Sequence, residues 1–210
     1  MQETKARMRD ADATKARILA AAKSEFVRAG LAGARVDEIA EKADANKRMI
    51  YHYFGSKDEL FRVVVEDAYL DIREAEQDLK LDDLSARDAL ETLVRFTWDY
   101  YLENPEFIRL VNSANLHKGR HLEGSEKLRT ASRKYVGTVQ EILERGAAEG
   151  TFRKGVDPVQ LNITIAAIGY YYLTNHFTGE VLYERDFMTP EALKDRLDFN
   201  IATIMRIVEA

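Results

Sequence analysis

Apolar residues recur along this chain at three- and four-residue intervals almost from end to end, and that period predicts helices. Over Thr14–Ala29 the inward set is Ile18, Leu19, Ala22, Phe26 and Val27, with Gly30 as the stop. Val36, Ile39, Ala40 and Ala43 make one face of a second, short helix. Asn46 is a cap for a third over Lys47–Tyr53, whose inward residues are Ile50 and Phe54. Ser56 with Glu59 is a capping box for a fourth helix, reaching to about Leu79, with Leu60, Val63 and Val64 as its apolar set.

The same grammar continues downstream. Ser85 and Asp88 open a helix carrying Leu90, Leu93, Val94 and Trp98, and Asn104-Pro105 starts the next. Gly119 and Gly124, with His117 and His121, mark a loop, and a long helix is expected over Glu126–Glu149, stopped by Gly150. Asp157-Pro158 and Thr189-Pro190 start two more, expected over about 158–177 and 190–208. All three prolines of the chain therefore stand at first-turn positions, which an all-α fold explains and a sheet protein does not.

Composition narrows the function classes. With 46% hydrophobic and 32% charged residues the chain reads as an ordinary globular protein. It has no cysteine, which removes disulfide and thiolate chemistry and fits a cytoplasmic setting. Met1–Asp12 lacks the apolar core of a signal peptide, and Ile163–Leu173 is too short and tyrosine-rich to span a membrane, so no membrane role is expected. The net charge is -5, but it is unevenly spread: Met1–Lys57 carries twelve Lys or Arg against eight Asp or Glu, and the remainder nineteen against twenty-eight. A basic head on an acidic body turns one end toward phosphate.

The two short helices, joined by Ala43-Asp44-Ala45 and flanked by longer ones, have the layout of a helix-turn-helix. In such a motif the first helix braces the second in a DNA major groove. The second then needs donors outside and apolar residues behind. Lys47, Arg48, Met49 and His52 supply the outer set; Ile50 and Phe54 supply the inner. Lys47 and Arg48 suit guanine edges and Met49 a thymine methyl. Tyr51, Tyr53 and Lys57 suit either phosphate contact or packing. The alternatives are plain solvated charges for Lys47 and Arg48, and a core position for Met49.

The segment Thr14–Phe61 resembles the N-terminal domain of the TetR family of bacterial regulators. The resemblance rests on Ile18-Leu19 with Ala22 and Phe26, Gly30, Ile39-Ala40, Ala43, the run Tyr51-His52-Tyr53-Phe54, and Ser56-Lys57 with Leu60. It implies an all-α protein of about nine helices, with a three-helix helix-turn-helix head followed by a ligand-binding and dimerisation bundle. The boundary is expected near residue 60, giving a DNA-binding domain over 1–60 and a regulatory domain over 61–210. The implied activity is that of a homodimeric repressor on a palindromic double-stranded operator, released by a small-molecule effector. An activator or a helical protein-interaction module of the same fold is the alternative.

The family's DNA contacts fall here on Lys47, Arg48, Met49, Tyr51, His52 and Tyr53, with Lys57 on backbone phosphate; Asn46 caps the reading helix. Where many members have threonine or serine, this chain has Ala34 and Arg35, so Arg35 stands in as a charged phosphate contact. A turn glycine of the family is replaced by Asp44.

Beyond the head, the expected dimer contacts are the last two helices, through Ile163, Ala166, Ala167, Tyr170 and Leu173 on one and Phe199, Ile201, Ile204, Met205 and Val208 on the other. Candidate effector contacts are Trp98, Tyr101, Phe107, Asn112, Asn115, Tyr135, Tyr171, Asn175 and His176, with His117 and Phe177 beside them. They suit a medium-sized, partly aromatic or amphipathic molecule rather than a highly anionic one. No catalytic residue, metal site or cofactor is expected. The four histidines form no His-Glu-x-x-His pattern, and no glycine-rich phosphate loop is present; the spacing of His117 and His121 leaves a metal pair as the minor alternative.

Overall fold

The computed structural model describes residues 2–210, with side chains described from Ala11 onward. The described residues are helical with no named strand; the only extended pairing is an isolated antiparallel bridge between Phe152 and Glu209. Ten α-helices run in order among them: α1 (Gln2–Gly33), α2 (Val36–Lys42), α3 (Lys47–Phe54), α4 (Lys57–Gln77), α5 (Ala86–Glu103), α6 (Pro105–Leu116), α7 (Glu126–Glu149), α8 (Pro158–Thr174), α9 (His176–Tyr183) and α10 (Pro190–Val208). The all-α expectation holds, with one helix more than about nine.

The capping signals act as read. Ser56 Oγ accepts from the Glu59 N–H, Ser85 from Asp88, Asp157 from both Val159 and Gln160, and Thr189 from Ala192. Each satisfies an amide that the first helical turn leaves without a partner. Asn104 departs from this pattern: its side-chain amide turns back to donate to the Tyr100 carbonyl, closing α5 instead of capping α6. Gly30 has φ 65 and ψ 176, a break that an L side chain resists, and α1 resumes after it to Gly33. The expected helix over 158–177 ends at Thr174, and a separate α9 follows that no cap or proline announced. The expected loop at 119–124 holds a 3-10 turn over Arg120–Leu122.

The chain forms two compact units. One runs to Tyr69 and takes in Arg109–Ser125; the other combines Leu70–Ile108 with Glu126–Ala210. In the first, Ile18, Phe26, Ile39, Ile50, Leu60 and Phe61 are wholly or almost wholly buried, and Phe26 meets Phe61 edge-on at 5.0 Å. Its late segment is tied in by hydrogen bonds far apart in sequence. Ser113 Oγ accepts from the Leu31 N–H at 3.2 Å, His121 Nε2 lies 3.1 Å from Asp58 Oδ1, and Ser125 donates to Glu66.

The second unit is a helical bundle around Leu90, Leu93, Val139, Ile142, Leu161, Ile165, Ile204 and Val208. Here the structure corrects the stripes expected for dimer contact. Leu173, Ile204, Met205 and Val208 are buried within the chain itself. The row left outside on α8 is Val159, Ile163, Ala167 and Tyr171, at strict four-residue spacing, with Phe199 outside on α10. No described helix is long and apolar enough to cross a membrane.

Candidate nucleic-acid interface

The interface begins with a short helix held from behind. On α3 the Ile50 side chain is fully buried, Met49, Tyr53 and Phe54 are half-buried, and Lys47, Arg48, Tyr51 and His52 face solvent. This is the division that a groove-reading helix requires, with donors outside and an apolar anchor inside. Asn46 starts the helix from an extended backbone, and its side chain accepts from the Arg48 N–H at 2.9 Å.

The turn before α3 explains the replaced glycine. Asp44 has φ 46, in the left-handed region where aspartate is tolerated better than most residues. The neighbouring Ala45 N–H reaches back to the Ala40 carbonyl at 3.0 Å, so the turn closes despite the side chain.

Two charged contacts hold the helices around α3. Lys47 Nζ lies 2.8 Å from Asp37 Oδ1 on α2, and that lysine holds the Asp37 carboxyl below the usual range. Both groups are about half-exposed or more, so the pair orients Lys47 more than it stabilises the fold. Lys57 Nζ donates to the Ala34 carbonyl at 3.1 Å, which places its ammonium beside the start of α2. Arg35 is exposed at that same start and makes no side-chain cap. Lys15 stands over the Tyr53 ring at 5.3 Å, and His52 and Tyr53 form a tilted pair at 5.2 Å.

The residues that brace this surface escaped the sequence reading. Glu25 on α1 is completely buried, yet it carries a charge. Arg28 donates to it from one terminal nitrogen at 2.7 Å and from Nε at 3.0 Å, Lys42 at the end of α2 approaches to 3.1 Å, and the Arg35 N–H donates at 3.4 Å. Hydrogen bonding from Arg28, aided by Lys42 and the Arg35 amide, outweighs the burial penalty and holds this carboxyl at about 2. One carboxylate thus serves both ends of α2, in place of the missing hydroxyl cap. Arg17 adds a tie from α1 by donating to the Ala43 carbonyl at 3.1 Å. A signal was available: Glu25 lies seven residues after Ile18 and three after Ala22, on the face that must be buried.

The expected effector residues are scattered. Trp98, Tyr101, Phe107 and Tyr135 are buried in the second unit. Tyr101 stacks on Phe107 at 5.9 Å and meets Tyr170 edge-on at 6.5 Å, while Trp98 lies 5.7 Å from Tyr172. Tyr135 belongs to a different cluster, beneath the Arg73 guanidinium at 4.1 Å. Arg73 in turn lies 2.7 Å from Glu76 Oε2, but the contact lacks hydrogen-bond alignment, so that buried oxygen accepts no hydrogen bond. Burial pushes the Glu76 carboxyl up to about 8, against the pull of Arg73.

Asn175 donates to the Tyr171 carbonyl and His176 Nδ1 lies 2.8 Å from the Leu173 carbonyl, so both close the end of α8. Tyr171 is 66% exposed. Asn112 and Asn115 belong to the first unit, and Asn115 donates to the Val111 carbonyl. His117 and His121 lie 5.8 Å apart, but His121 is buried against Phe61 and Asp58.

Comparison with known proteins adds independent findings. Residues 18–64 match the family described as bacterial regulatory proteins, tetR family, and residues 86–204 match the tetracyclin repressor-like C-terminal domain. The chain is 38% identical over 198 residues to the HTH-type transcriptional repressor NicS of Pseudomonas putida, covering 94% of this chain and 93% of that one. It is 45% identical over 103 residues to the HTH-type transcriptional repressor SCO4008 of Streptomyces coelicolor, about half of each chain. Among solved structures, a transcriptional regulator of Streptomyces coelicolor, SCO4942, aligns with TM-score 0.69 at 26% identity, over 93% of this chain and 98% of that one. A tetR-family protein of Rhodococcus aligns with TM-score 0.72 at 19% identity, covering 94% and 97%, and shares the fold.

Proposed function

The chain belongs to the tetR family of bacterial regulatory proteins, and on that basis we propose how it works as a TetR-type transcriptional repressor. The observation that carries the reading is α3: a capped helix with a buried Ile50 and an outer face of Lys47, Arg48, Tyr51 and His52. In this proposal residues 1–60 form the DNA-binding domain. Arg48 and Lys47 read base edges, Met49 presses on a base, and Tyr51, His52 and Tyr53 flank them. Arg35, Lys57 and the Asn46-capped helix start meet phosphate.

Residues 61–210 form the regulatory domain and join two copies through α8 and α10, so that two heads meet a palindromic operator. The exposed row of Val159, Ile163, Ala167 and Tyr171, with Phe199, supports that pairing. A small-molecule effector enters the aromatic interior around Trp98, Tyr101 and Phe107. It releases DNA by favouring a head spacing that mismatches successive major grooves. The site of action is the cytoplasm, and the role is regulatory rather than enzymatic.

The test is capture and sequencing of genomic fragments by the full chain. Enrichment of one palindromic site is expected, and it should vanish when Lys47, Arg48 and Tyr51 are replaced together by alanine. Equal enrichment by that variant would defeat the assignment of α3. Expression of the neighbouring genes on deletion separates repression from activation.

A further inference from the structure

A cleft of about 500 Å3 lies among α8, α10 and the segment leading into α10, and its walls combine four aromatic rings with two arginines and two aspartates. Phe187 is nearly parallel to Tyr172 at 4.8 Å and 12°, and to Tyr183 at 6.1 Å and 15°. The stack is fixed rather than loose. The Tyr172 hydroxyl donates to the Phe187 carbonyl at 2.9 Å, and Gly179 leaves the space that Phe187 fills, since an added Cβ would stand 2.6 Å from that ring.

Arg196 completes the wall. Its guanidinium sits over the Tyr172 ring at 5.2 Å and the Phe199 ring at 5.4 Å, and one terminal nitrogen donates to the Ile168 carbonyl at 3.0 Å. Its Nε is buried without a hydrogen-bond partner, and no described carboxylate acts on its charge. Burial lowers its pKa, opposed by the Tyr172 phenol and by no carboxylate. A buried donor left unpaired costs free energy, and a guanidinium offers its donors as a planar fork that matches a carboxylate.

We propose that this cleft binds a planar aromatic monocarboxylate, whose ring extends the Tyr172–Phe187–Tyr183 stack and whose carboxylate takes the unsatisfied side of Arg196. The volume falls in the range of small-molecule sites. Asp186 and Asp195 also line the cleft against Arg185 and Arg196, so a single negative charge suits it better than a phosphate ester or a dicarboxylate. Tyr101 and Phe107 do not line this cleft, and failure here leaves the DNA-binding reading untouched.

The only tryptophan of the chain, Trp98, lies 5.7 Å from the Tyr172 ring and reports binding by its emission. Benzoate titrated into the full-length protein, followed by Trp98 emission and by calorimetry, should saturate in the millimolar range or below. Benzamide and cyclohexanecarboxylate should each bind at least tenfold more weakly. Arg196→Gln should cost tenfold or more with the fold and oligomeric state retained. If that variant does not fold, Tyr183→Ala, at a ring 64% exposed, should weaken benzoate without affecting folding. No saturable response, equal binding of benzamide, or undiminished binding to a folded Arg196→Gln overturns the proposal. So does binding that disappears as protein concentration rises into a dimer, because a second copy would then be what fills the cleft.

Discussion

The most deeply buried glutamate of one compact unit and that of the other, among the described side chains, behave oppositely. Glu25, in the unit that carries α3, is surrounded by donors and keeps its charge, with its carboxyl held at about 2. Glu76, in the bundle, has one arginine in poor alignment and the underside of the Tyr135 site around it, and its carboxyl is pushed up to about 8. Burial alone therefore does not decide protonation; the number of aligned donors does.

The consequence for stability has opposite sign in the two units. The ion pairs of Glu25 contribute fully above its ordinary value of 4.5 and are lost as pH falls toward about 2. Glu76 suits the folded bundle when neutral, so the bundle is at its best below 4.5 and weakens as pH rises through about 8.

The contrast can be broken most forcefully at Glu76. Glu76→Gln should stabilise the bundle by on the order of 3 kcal/mol at pH 8, with the gain fading by pH 5. Urea melts followed at Trp98 measure it, and a gain that does not change with pH would show that the carboxyl is not titrating. Glu25→Ala should cost about 2 kcal/mol, mostly the loss of buried hydrogen bonds to a charged acceptor. Amide exchange should place that loss in α2 and α3, with operator affinity falling in parallel; unchanged protection of α2 would remove Glu25 as its brace.

The smallest effect sharpens the comparison at two left-handed residues, one in each unit. Asp44 before α3 has φ 46, and Glu184 after α9 has φ 53. Replacing either by glycine should stabilise its own unit by about 0.5–1 kcal/mol, the relief of strain less the added freedom of the unfolded chain. Exchange rates should slow in that unit alone.

What the sequence disclosed follows a physical divide. Local devices were legible: the prolines at 105, 158 and 190, the hydroxyl caps at Ser56, Ser85 and Thr189, and the inward Ile50 of α3 all depend on neighbours a turn away. Contacts between distant residues were not. Nothing near Ser113 announces a bond to Leu31, eighty-two positions earlier, and nothing near Glu25 names Lys42 as its partner. The apolar stripes of α8 and α10 were visible as stripes, yet each helix has two apolar faces. Periodicity could not say that Ile204 and Val208 face inward while Phe199 remains outside.

The exposed row on α8 carries one geometric consequence. Val159, Ile163, Ala167 and Tyr171 repeat every four residues, whereas a helix turns in 3.6, so the row winds obliquely around the cylinder. Rows of that kind are ridges, and ridges of the same kind interlock when two helices cross steeply, near −50°, rather than lie side by side. Two copies joined along this row would form an X. Its arms diverge within a few turns, its tightest approach falls where Ala167 is smallest, and its grip depends on a few central side chains.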